Sequence, residues 1–293
     1  MLNHIPIRAR RPRAPSRLPR GVLVAALSTI ALLTGSACKS SVAIHFAAKV
    51  GDKTFRCGQS YPDLGTTKST FTPSDLRFYI SEVRLLRADG QEVPLELDQD
   101  GKWQAKDVAL LDFEDKTSLC FNGTPDTNDT IHGRVPSGDY QGIRFTLGVP
   151  FALNHNDNTL APSPLNLSTM FWGWNGGYKF LRIDAKTTGL PGIEIHLGST
   201  GCTPQEGRVT ACARPNRADI RLTGFDPRSK TLVADLASLL ADVDLDHNQA
   251  DTAPLCMASG TDADCGGIFK RLGLRLTDGT PDPGGQQTFF RVE

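Results

Sequence analysis

The chain has 293 residues, 39% hydrophobic and 22% charged, with 32 basic and 32 acidic side chains. This is the make-up of a globular protein with a sizeable core, and it excludes a chain disordered throughout. The even charge balance gives no general excess of positive charge for a nucleic-acid partner.

The first 37 residues differ from the rest. Six arginines in RARRPRAPSRLPR precede the apolar run GVLVAALSTIALLTG and the small residues of SAC. This order is that of an export signal over residues 1–37, leaving a mature chain of 38–293. Its removal would leave 26 basic against 32 acidic side chains, a net charge of −6. No later segment offers about 18 uninterrupted apolar residues, so the body is expected not to span a membrane. Cys38 stands where a bacterial lipoprotein leader is cut and lipidated; the alternative is a small-residue cleavage site without an acyl anchor. The expected location is therefore the periplasm, or the outer membrane or cell surface through a lipid on Cys38.

From Ser41 onward the pattern is that of strands. VAIHFAAKV alternates, and LRFYISEVRLL places Leu76, Phe78 and Ile80 on one face until the spacing slips near Glu82, where a bulge would restore it. ADGQ reads as a hairpin turn into VPLEL, and DQDGKW as another turn, leading on to DVALLDFE, a meander. PSGDY is a turn before QGIRFTLGV, and YKFLRIDA and IEIHLGST are two further strands. Helical period is scarce, with SLLADV the best short candidate. The expectation is all-β: a single β-sandwich-like domain with long disulfide-stapled loops and little helix.

Beyond Cys38 an even count of six cysteines remains, as suits a disulfide framework in an exported chain. Short loops favour Cys202 with Cys212 and Cys256 with Cys265, leaving Cys57 with Cys120. A zinc site would need a C-x2-C knuckle, which the sequence lacks.

The signatures of hydrolases, nucleotide enzymes and zinc proteases are missing. Outside the leader the histidines are His45, His132, His155, His196 and His247. His155 lies in a long loop before the segment MFWGWNGGYKF, and His196 soon after it; two imidazoles beside a soft or aromatic neighbour suit copper. Period two would put Met170, Trp172 and Trp174 on one strand face, the pattern of a core ladder, although Gly173 weakens a strand interior. Asp242, Asp244 and Asp246 in DVDLDHNQAD resemble the opening of a calcium loop without its glycine and closing glutamate, and otherwise read as a solvated turn.

SDLRFYISEVRLL, VALLDFE, GDYQGIRFTLGVPFALNH, PLNLSTMFWGWNGGYKFLRID, IHLGSTGC and the final cysteine pair together resemble the MbnP-like copper-binding proteins, the metallo-mystery-pair four-cysteine-motif family. The likeness runs from about Ser41 to about Val292. It implies an exported copper binder, not itself an enzyme. A dihaem MauG-like or peroxidase-like partner would oxidise one of its tryptophans, Trp172 or Trp174, to kynurenine. It also implies His155 and His196 as copper ligands, with Met170 and His45 behind them, and copper acquisition or homeostasis as the setting. The four-cysteine label falls on Cys202, Cys212, Cys256 and Cys265, with Cys57 and Cys120 an additional pair. The competing reading is a structural or interaction lipoprotein of the cell envelope that binds no metal.

Overall fold

The 18-residue strand Ser69–Leu86 is the spine of the molecule in the computed structural model, which describes Met1 and residues 38–293. Apart from Met1, the expected leader lies outside the described residues. Most of this strand is buried, so its side chains carry apolar groups on both faces, including Phe71, Leu76, Phe78, Tyr79 and Ile80. On one side it pairs with Leu181–Lys186, which in turn pairs with Ile193–Leu197. Further along it pairs with Gly142–Leu147, which carries Ala218–Thr223 on its other edge. Val108–Asp112, buried at every position, pairs with its middle.

The bulge expected near Glu82 is present. Ser81 pairs with Thr146 and Arg84 with Arg144, so two residues of the long strand oppose one of its partner, and Glu82 takes a φ of +56°. The extra residue restores the inward face for Val83 and Leu85, both buried.

A second, smaller sheet is built on Lys39–Val50. This strand pairs antiparallel with Thr130–Pro136 and parallel with Leu232–Asp235, whose other edge takes Phe290–Val292. The two sheets meet through aromatic edges: Phe46 lies 6.2 Å from Phe78 and 6.0 Å from Phe145, and Phe290 is 5.1 Å from Phe145. These contacts, between rings carried by different sheets, make the shared core of a sandwich.

Hairpin order alone does not describe the sheets. VPLEL, expected as one strand, divides: Glu92–Pro94 joins the larger sheet and Glu96–Leu97 the smaller. Leu232–Asp235 lies between Lys39–Val50 and Phe290–Val292, so strands from the two ends of the domain share one sheet, a non-local closure that a meander does not anticipate. α-Helix is confined to Phe151–Asn154, Leu236–Leu239 and Cys265–Arg271 among the described residues. The second matches the start of the expected SLLADV helix, and the third was not anticipated. Asp235 caps the second by accepting from the N–H groups of Ala237 and Ser238.

The disulfides are Cys57–Cys120, Cys202–Cys212 and Cys256–Cys265, and Cys38 is free and exposed. No helix among the described residues is long and apolar enough to cross a membrane.

Candidate functional site

The tryptophan segment is not one continuous strand. A 3-10 turn, Ser168–Met170, leads into a short strand, Phe171–Gly173, which folds back on Gly177–Tyr178. Gly173 takes a φ of +126° and Gly177 one of +76°, both in the left-handed region open to glycine. This turn ends the alternation, so the expected shared face for Met170, Trp172 and Trp174 does not form. Met170 is fully buried in the core, Trp172 is half-buried, and Trp174 is 46% exposed.

Two buried arginines hold the entry to this hairpin. Arg77 donates from Nη1 to the Thr169 hydroxyl at 3.1 Å, and Arg182 from Nη1 to the Thr169 carbonyl at 2.9 Å. Both guanidinium groups are paired with Asp75, and Arg182 also donates to Asp184 at 2.9 Å. Asp75 is fully buried and Arg77 nearly so, so each charge relies on its partners in place of water. The network follows from register, because Arg182 sits opposite both Arg77 and His196, and Asp184 opposite Asp75.

His196 joins the end of this network. Its Nε2 lies 2.6 Å from Asp184 Oδ1, so Nε2 carries the hydrogen and Nδ1 the lone pair in the neutral ring. That Nδ1 is buried without a hydrogen-bond partner. Burial works against ionised Asp184, but hydrogen bonds from His196 and Arg182 outweigh it and hold the carboxyl at about 2. The Trp172 ring centre is 6.4 Å from that of His196, and the indole Nε1 is also buried without a partner. Gly198 makes room for this ring: a Cβ there would come 2.4 Å from Trp172 Cζ3 and 2.6 Å from the Tyr178 carbonyl oxygen.

His155, at the end of the short helix Phe151–Asn154, lines the same cleft as Trp172. Its Nδ1 donates to the Trp174 carbonyl at 3.0 Å, since that oxygen can only accept, leaving the lone pair on Nε2. Asn154 Nδ2 is 3.1 Å from this Nε2, and the Cys212 and Cys202 sulfurs are 3.3 and 4.0 Å away. Burial pulls the imidazole pKa below its ordinary value, partly opposed by the Trp174 carbonyl, and so favours the neutral ring. A cleft of about 680 Å³ lies over this corner, lined by His155, Asp157, Trp172, Trp174 and Arg208 among others.

The structure thus brings His155, Trp172 and Trp174 to one cleft and packs His196 near the Trp172 ring. In each histidine one nitrogen is fixed by an oxygen acceptor, as in imidazoles oriented toward a metal; the other is orphaned in His196 and meets the Asn154 amide in His155. Neither Met170 nor His45 lines the cleft. His45 is exposed on the N-terminal strand, 3.0 Å from the Thr130 hydroxyl, and His132 is exposed on the neighbouring strand. Asp242 pairs with Lys270 and Arg271, Asp244 with His247, and Asp246 accepts from Ser69 and Gly189, so the three carboxylates are turned to separate partners.

Asn154 is the residue whose place the sequence reading missed. It is fully buried, accepts the Tyr178 N–H at 2.8 Å and contacts His155. The four charges beneath the hairpin were also missed. Asp75 and Arg77, like Arg182 and Asp184, recur at period two, and that repeat of charge within apolar strands was the available signal.

A family model described as MbnP matches residues 39–258. Among solved structures, MbnP from Methylosinus trichosporium superposes with a TM-score of 0.77 at 30% identity, covering 87% of this chain and 98% of the other. A search of curated proteins found no match.

Proposed function

Because the chain belongs to the MbnP family, we propose that it is an exported copper-binding protein of a copper acquisition or homeostasis system, completed by oxidation of Trp172 to kynurenine. It acts as substrate of a dihaem MauG-like partner and as metal carrier, without turnover of its own. It works in the periplasm, or at the outer membrane or cell surface through a lipid on Cys38.

The observation that carries this reading is the set of nitrogens around Trp172. His196 Nδ1 and Trp172 Nε1 are buried without a hydrogen-bond partner, and His155, whose lone pair is on Nε2, lines the same cleft as Trp172. Such orphaned groups are costly in a finished core, so a further ligand accounts for them. Copper supplies an acceptor for imidazole lone pairs. Asp184 and the Trp174 carbonyl fix the tautomers that place the lone pairs on His196 Nδ1 and His155 Nε2, and at His155 copper would replace the hydrogen bond from the Asn154 amide. An indole has only an N–H donor, whereas kynurenine offers an aryl amine and a ketone, so oxidation turns a packed wall into a ligand. Trp172 is the choice over Trp174 because its ring lies against His196, while Trp174 is the more exposed and meets His155 through its carbonyl.

Peptide mapping of protein from its native host is expected to show a gain of about 4 Da on Trp172 and none on Trp174, the mass change of net indole-to-kynurenine conversion. The His155→Ala/His196→Ala double variant is expected to lose stoichiometric Cu(I) binding. Unmodified Trp172 together with unchanged Cu(I) binding in that variant would overturn the proposal. Protein with neither modification nor copper would favour a structural envelope module.

A further inference from the structure

We propose an alternative, thiol-gated Cu(I) site, in which Cys202 and Cys212 recruit His155 when the Cys202–Cys212 disulfide is reduced. The ligand atoms of these three residues already lie within 4.8 Å of one another. The site stands on this juxtaposition and is independent of whether Trp172 is modified.

The imidazole is directed for the purpose. With its Nδ1–H donated to the Trp174 carbonyl, His155 keeps the lone pair on Nε2, which accepts from the Asn154 amide at 3.1 Å and lies 3.3 Å from Cys212 Sγ, so Cu(I) has one hydrogen bond to displace there. A disulfide sulfur is a poor metal ligand, while two thiolates and an imidazole form a soft donor set suited to Cu(I). The resting disulfide therefore holds the site closed.

Position in the fold selects this bond over the other two. Cys120, Cys256 and Cys265 are buried, so each of the other disulfides has at least one sulfur shielded by the core, whereas Cys202 and Cys212 are both half-exposed. They pair across Thr200–Gln205 and Arg208–Arg214, a two-stranded sheet separate from the two that make the sandwich. Pairing of Thr200 with Arg214 and of Gln205 with Arg208 flanks the bond on either side. Rotation about the cysteine Cα–Cβ bonds can separate the sulfurs while those pairs persist.

The chemistry balances with a low-molecular-weight thiol as reductant. One thiolate attacks a cysteine sulfur and expels the other as thiolate; a second thiol resolves the mixed disulfide, so two thiols become one external disulfide. The two electrons reside on Cys202 and Cys212. Cu(I) then displaces the thiol protons to solvent without changing its own oxidation state, and the reverse exchange, in which an external disulfide takes the two electrons and becomes two thiols, re-forms the Cys202–Cys212 bond and removes the thiolates from the metal.

The full chain carrying Cys38→Ala, to remove its free thiol, is treated with glutathione, freed of it without air, mapped by alkylation and titrated with Cu(I) against a chromophoric chelator. Alkylation is expected at Cys202 and Cys212 with the other four cysteines still bonded, and Cu(I) affinity is expected to rise at least tenfold (about 1.4 kcal/mol) over the oxidised protein. A thiolate-to-copper absorption band in the ultraviolet should accompany the rise. His155→Ala should expose the same two thiols with a smaller gain, and Cys202→Ser/Cys212→Ser should show none. Equal affinity before and after reduction would overturn the proposal, as would thiols that appear only with loss of the native circular dichroism. Copper bound by the reduced protein alone would sink the oxidised-state reading above and leave this one standing; copper bound equally by both forms does the reverse.

Discussion

Asp112 ends a strand that is buried at every position, and its environment decides its charge. Burial pushes its carboxyl up to about 7, with Arg77 pulling the other way and Asp75 and Glu114 adding to the rise. In the unfolded chain the group titrates near its ordinary value of about 4. The fold therefore favours the protonated acid. Its contribution is complete below about pH 4 and is lost as the pH rises through about 7. Asp184 has the opposite sign: held at about 2, it stabilises above about pH 4 and loses that contribution as the pH falls toward 2. Asp112→Asn keeps the oxygen that accepts the Glu114 N–H and removes the ionisation. The melting temperature of the native protein minus that of Asp112→Asn is expected to fall between pH 4 and pH 7, at roughly 2–4 °C per kcal/mol. A pH-independent difference in thermal scans would contradict the assignment.

At the scale of elements, the short helix Phe151–Asn154 and the tryptophan hairpin are joined by one side chain. Asn154 Oδ1 takes the Tyr178 N–H, and its Nδ2 reaches Ser199 at 3.3 Å as well as His155. Gly177 has to be glycine here, since a Cβ would meet Asn154 Oδ1 at 2.5 Å and the backbone φ is positive. Asn154→Ala strands a buried N–H and leaves a small void, at a cost of about 1–3 kcal/mol. Urea unfolding should show that loss, and hydrogen exchange should show faster opening at Tyr178 than in the Val108–Asp112 strand. Exchange unchanged at Tyr178 would contradict the link. The strands themselves and the Glu82 bulge were legible in alternation, because period two is a local property. The bend at Gly173 overrode the same rule: Trp172 and Trp174 have the spacing of strand neighbours, but a positive φ separates their faces.

For the whole molecule, Cys57–Cys120 closes the longest of the covalent loops, its ends 63 positions apart in sequence. Loop-closure entropy gives such a bond up to about 4 kcal/mol of stabilisation through the unfolded chain. Cys57→Ala/Cys120→Ala is expected to lower unfolding free energy toward that limit while Cu(I) stoichiometry is kept, because neither residue lines the tryptophan cleft. Chemical denaturation and copper titration of the same variant check both halves. A loss of copper binding in protein still folded would show that the tie reaches the site.

Composition, alternation and cysteine spacing determined the all-β class, most strands and the disulfide partners, since alternation is local and two bonds close short loops, leaving Cys57 with Cys120 as the remaining pair. The motifs also carried the family. Only the tertiary structure decided that VPLEL divides between two sheets, that Lys39–Val50 lies beside Leu232–Asp235, and that Met170 belongs to the core. It also decided how the two singled-out histidines are held: His196 by Asp184 from an adjacent strand, and His155 by the Trp174 carbonyl, with its other nitrogen between Asn154 and a disulfide. Those relations depend on register and on which residues meet across sheets, and no periodicity along a single chain encodes them.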